Sequence, residues 1–220
     1  MYLVLGSCRA FEAVFHSKNN YCPLASQYNF SNRCGYLGRG WSSLEHLHLL
    51  RLINGTKPIK NYRGVEVDAE SFEKSLRWTQ GEWKNITGVI MEISSIKYFK
   101  KDGHLFHNLP KKFWKRPFQQ FKLSESEMME TLNEIVKILH GKRIIFVNHF
   151  LHTKVPNRLL IDSCLQKMKS DNVLVITPSD LWDEKTENLY LRDPVHYKKG
   201  IRRKIAKYFD NCIKSHFKDT

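Results

Sequence analysis

Tyr2-Leu3-Val4-Leu5-Gly6-Ser7-Cys8-Arg9 opens the chain with four apolar residues, a glycine and a polar turn. A short apolar run stopped by glycine reads as a buried strand. Residues 9–15 then suit a helix, so the opening is strand–turn–helix. The same rhythm recurs along the chain. Apolar strands are expected at 89–93 within Gly-Val-Ile-Met-Glu-Ile, at 144–147 and at 173–176. Helices are expected over 44–53, more weakly over 68–78, and over 156–168 and 200–217. Asn54-Gly55 stops the first of these. Ser124-x-x-Glu127 is a capping-box pattern ahead of Met128, Leu132, Ile135, Val136 and Leu139, and His140-Gly141 is expected to close that helix. Strands alternating with helices predict an α/β fold: a three-layer α/β/α sandwich around a central, mainly parallel sheet. Residues 17–41 read mostly as loop. Residues 97–123 have no clean period and read as a basic, aromatic-rich insertion or lid within a single domain spanning 1–220. Ligands of such sheets sit beyond the carboxyl ends of the strands. That directs attention to 6–9, 94–95, 148–152 and 177–180.

The chain has 220 residues, 41% hydrophobic and 26% charged, enough for one domain with a substantial core. No apolar run approaches the roughly 18 to 20 residues that span a bilayer. The first residues lack the basic and long apolar regions of a signal peptide, so a cytoplasmic protein is expected. The five cysteines are odd in number and show no zinc-ligand spacing, so free thiols and no metal are expected. No H-E-x-x-H, P-loop or G-x-G-x-x-G pattern is present. The net charge of +14 implies attraction to polyanions. Cations are densest at 97–116 and 198–207, and an anionic ligand is expected at 97–116.

Two further stretches carry chemistry. Gly6-Ser7-Cys8 sits at a strand-to-helix turn, and Asp193-Pro194-Val195-His196 precedes the last helix. Between them, Gly38-Arg39-Gly40-Trp41-Ser42-Ser43 leads into a helix. Together these resemble the first, last and glycine blocks of the SGNH/GDSL hydrolase superfamily, in order and rough spacing over nearly the whole chain. The resemblance implies a flavodoxin-like α/β/α fold. The family's Gly-Asp-Ser is Gly6-Ser7-Cys8 here, and Ser94-Ser95 stands where its Gly-x-Asn-Asp block is expected. The opening is similar to outlying branches of the superfamily, the GSCFA-domain and capsule-biosynthesis acetyltransferase-like proteins. For those branches acyl transfer, with coenzyme A or acetyl-CoA as acyl donor, stands beside hydrolysis.

Carried onto these positions, the resemblance implies Cys8 as nucleophile, with Ser7 as the rival, His196 as base and Asp193 as its orienting carboxylate. A helix N-terminus favours a thiolate, the nucleophilic form. Backbone N–H groups of Cys8 and Gly40 are expected to hold the oxyanion, with Ser95 as a third donor. Arg39, Asn148 and His149 are expected to contact substrate. His46 and His48, on the leucine-rich helix, read as surface or core residues. Two functions follow. One is an O-acetyltransferase or acetyl-esterase acting on a carbohydrate or glycoconjugate, with no resident cofactor required. The other is a non-catalytic polyanion- or nucleic-acid-binding module on the same scaffold, motivated by charge and interleaved aromatics.

Overall fold

The computed structural model describes residues 1–6, 10, 21–22, 42–56, 69–101, 104–106, 119–148, 156–181, 187–193 and 196–217. Five parallel strands form the central sheet: β1 (Tyr2–Leu5), β2 (Tyr21–Cys22), β3 (Gly88–Ile93), β7 (Arg143–Asn148) and β8 (Val173–Ile176). Their spatial order is β2-β1-β3-β7-β8. The first strand is thus interior, and the chain reverses its direction of travel across the sheet between β1 and β3. Ligands of open α/β sheets bind at such a switch point.

Side-chain alternation divides the core in two. Leu3, Leu5, Val89, Met91, Ile93, Ile144, Phe146, Val173 and Val175 point to one face. That face is covered by α1 (Ser43–Ile53), α2 (Ala69–Glu82), α3 (Glu125–Ile138) and α4 (Pro156–Lys167), through residues such as Leu50, Leu76, Leu132 and Ile161. Tyr2, Val4, Ile90, Ile145, Val147 and Ile176 point to the other face. There Ile205, Phe209 and Ile213 of α6 (Arg202–His216) cover them. Burial on both faces explains why these strands are continuously apolar rather than alternating. The three-layer α/β/α sandwich expected from the sequence is the architecture found.

Several local expectations are refined. The Ser124 capping box is present: the Ser124 hydroxyl accepts from the Glu127 N–H, and the Glu127 carboxylate accepts from the Ser124 N–H. Glu127 is held below the ordinary carboxylate value, chiefly by the bond from the Ser124 backbone. An equivalent box, Ser42 with Glu45, starts α1. Helix α3 ends at Ile138 with Leu139 as C-cap, so Gly141, at φ 79°, turns the chain beyond the helix rather than capping it. Helix α2 runs on to Glu82 and then into a 3₁₀ turn, Trp83–Asn85.

Within the stretch read as loop, Tyr21–Cys22 is an edge strand. Two residues are too few to show a period. The 97–123 segment holds three strands: β4 (Lys97–Lys101), β5 (His104–Phe106) and β6 (Gln119–Lys122) form a separate antiparallel sheet, ordered β5-β4-β6. Tyr98 and Phe99, consecutive and on opposite faces of β4, are both buried. Burial of both faces erased the alternation that marks a strand. Lys97 lies directly opposite Lys122, and Lys100 sits over the Tyr98 and Phe121 rings.

Candidate active site

Position Gly6 ends β1 at φ 150°. A Cβ there would lie 2.7 Å from the Glu92 Cβ, so this turn admits only glycine without displacement. Ser7, Cys8 and Arg9 lie outside the described residues, and so do Arg39, Gly40 and His149. Ala10 follows that turn and is buried in the second-face cluster.

Asp193 and His196 precede the last helix, as the sequence suggested. They lie on a two-stranded antiparallel ribbon, β9 (Leu191–Asp193) and β10 (His196–Tyr197), where they are register partners. The next residue, Tyr197, is buried in the second-face cluster that also holds Ala10. A short helix, α5 (Glu187–Tyr190), leads into the ribbon, and the Lys198 N–H donates to the Tyr190 carbonyl across it. The 3₁₀ turn Lys199–Ile201 then starts α6. Helix α6 runs from the carboxyl rim of the sheet to the amino rim. Midway along it the Tyr208 hydroxyl donates to Asp180, beyond β8, at 3.4 Å. At its end His216 Nε2 donates to the Ser170 carbonyl, ahead of β8, at 3.0 Å.

Beyond β3, Ser94 and Ser95 differ. Ser95 Oγ accepts from the Lys97 N–H at 2.9 Å, which uses a lone pair and leaves its own proton available. Ser94 Oγ is buried and has no hydrogen-bond partner among the described residues. A buried unpaired hydroxyl costs about 1–3 kcal/mol, so such groups are rare and are met by an ordered water, a ligand or a catalytic role. Glu92, 1% exposed, adds a carboxylate beside the Gly6 turn. The sequence directed attention to 94–95 but gave the donor role to Ser95, and it passed over Glu92, although a single acid within Gly-Val-Ile-Met-Glu-Ile was the available signal.

Asn148 is buried at the end of β7, its Nδ2 donating to Asp162 of α4 at 2.8 Å. Asp162 also accepts from Gln166. Asn148 thereby ties α4 to the strand end. His46 is fully buried, and its Nε2 donates to the Glu92 carbonyl at 2.8 Å, fixing α1 against β3. Asp180 is raised above the ordinary aspartate value by burial, an effect that the Tyr208 bond partly opposes. The described thiols, Cys164 and Cys212, are both pushed up, chiefly by burial. Among the described residues no cluster of three or more His, Cys, Asp or Glu is arranged to hold a metal ion. No described helix is long and apolar enough to cross a membrane. Comparison with family models, curated proteins and solved structures returns no match.

Proposed function

We propose that this chain is an SGNH-type acyl-transfer enzyme, an O-acetyltransferase or acetyl-esterase acting on hydroxyl groups of a carbohydrate or glycoconjugate. One observation carries the reading: Ala10, two residues after Cys8, and Tyr197, next to His196, are buried in one cluster on one face of the sheet. Both segments therefore pack on the same face of the sheet, which supports bringing Cys8 and His196 together.

In the proposed reaction His196 takes the Cys8 proton and the thiolate attacks the acyl carbonyl. The Cys8 Sγ–C bond forms as the alcohol or coenzyme A thiol departs with the proton from His196. Water or a sugar hydroxyl, deprotonated by His196, then cleaves the thioester and regenerates the thiol. Asp193 orients the imidazole. The Ser94 hydroxyl is the unassigned donor best suited to the developing oxyanion, beside the backbone N–H groups of Cys8 and Gly40. A cytosolic setting, where thiols remain reduced, suits a cysteine nucleophile.

Intact-mass analysis after mixing with acetyl-CoA, and separately with a p-nitrophenyl acyl ester, tests this. The expected result is one acyl adduct, mapped to Cys8 and lost in Cys8→Ala. Because burial holds Cys164 and Cys212 protonated, neither should label at neutral pH. No adduct, together with undiminished esterase activity in Cys8→Ala and His196→Ala, would end the proposal.

A further inference from the structure

Four cations of the last helix lie on one side of it. Arg203, Lys204, Lys207 and Lys214 are all exposed. At 100° per residue they fall within about 100° of arc, opposite the buried Ile205, Phe209 and Ile213. From Arg203 to Lys214 the stripe extends about 16 Å at 1.5 Å per residue. Exposed Lys198 and Lys199 continue it past the helix start, toward the His196 ribbon.

Arg51 pairs with Glu134, Arg77 with Glu73 and Lys167 with Glu125, and none of these pairs draws on this stripe. The only acid between 198 and 217 is Asp210, which is buried. The first turn of α6 holds no acid at all. Crowding cations at that end opposes the helix dipole, so the stripe is placed against local stability.

From this we infer that the outer face of α6 binds an acidic polysaccharide, a sulfated or carboxylated glycan chain. Unbalanced cations in a line match a linear polyanion, and the stripe starts at the rim where the candidate site lies. Single-stranded nucleic acid sites add aromatic platforms. Here Tyr190 and Tyr197 are buried and Tyr208 is half-buried, so among the described residues the face offers no exposed ring. As the grip for an acyl acceptor, the stripe deepens the proposed function and rests on it; the binding itself is measured without any acyl donor.

The experiment titrates the full chain with size-fractionated heparin, neutral dextran of equal length, and a DNA duplex of matched charge, over a range of salt. Two variants lose the same formal charge. One is Lys199→Gln/Arg203→Gln/Lys207→Gln/Lys214→Gln; the other is Lys84→Gln/Lys122→Gln/Lys137→Gln/Lys169→Gln, all exposed positions elsewhere. Heparin should bind and dextran should not. The stripe variant should lose at least about tenfold in affinity and about 3 in the slope of log K against log salt, while the control variant loses less than about twofold. Equal losses in the two variants, or tighter binding of the duplex than of heparin, would overturn the assignment. If no acyl adduct forms on Cys8 while the stripe-dependent binding stands, the acyl-transfer reading alone has failed. If the adduct forms and the stripe variant binds heparin normally, the stripe assignment alone has failed.

Discussion

The two rims of the central sheet are finished differently. At the amino rim the polar groups are paired. The amino terminus donates to Thr87 Oγ1 at 3.1 Å, and Arg143 donates to the Tyr2 hydroxyl while stacking over Phe217. Lys142 Nζ donates to the Trp83 carbonyl at 2.9 Å and to the Ile86 carbonyl, with its charge 4.5 Å from the Trp83 ring centre. At the carboxyl rim, the buried Ser94 hydroxyl has no hydrogen-bond partner among the described residues, and Asp180 has a raised pKa. One rim closes the fold; the other departs from the rules of stable packing, as functional sites do.

Substitutions at each rim can break this contrast. The largest effect is expected for Gly6→Ala, which drives a methyl group against Glu92 in a backbone conformation that alanine avoids. A loss of about 3 kcal/mol in stability, read by denaturant unfolding, is expected; an unchanged midpoint would show that the turn yields easily. Next is Lys142→Met, which removes the ammonium from two carbonyls and a ring. A loss of about 2 kcal/mol is expected, with esterase activity per folded molecule unchanged. The smallest change in stability, and the most discriminating, is for Ser94→Ala. It should gain about 1 kcal/mol, by removing the unpaired hydroxyl, and lose about a hundredfold in kcat. A variant that is less stable and equally active would show that the two rims do not differ in kind.

Where the periods are strong, the fold was legible in the sequence. Gly88–Ile93 and Val173–Ile176 are apolar runs of strand length, and Ser124 with Glu127 states a helix start outright. Tyr21–Cys22 was not legible, because a two-residue edge strand is defined by its neighbour rather than by its own pattern. The small antiparallel sheet was hidden for a different reason: Tyr98 and Phe99 are buried on opposite faces, and the period of two vanished. For the candidate site, the sequence pointed to the carboxyl ends of the strands, but not to the burial of Glu92 or the orphaned hydroxyl of Ser94. Those arise only when β1 and β3 lie side by side, bringing Gly6 against residue 92.

The interior position of the first strand has a consequence for biosynthesis. Tyr2–Leu5 emerges from the ribosome before the rest of the sheet, yet β3, one of its two sheet neighbours, is translated more than eighty residues later. The face bearing Tyr2, Val4, Ile90, Ile145 and Ile176 gains its covering from Ile205, Phe209 and Ile213 only once the final helix is made. Between synthesis of β8 and of α6 the nascent chain therefore carries a sheet with one apolar face uncovered. Such long-range pairing folds slowly and exposes the chain to aggregation, so the final helix is as much a seal on the folding reaction as a layer of the finished protein.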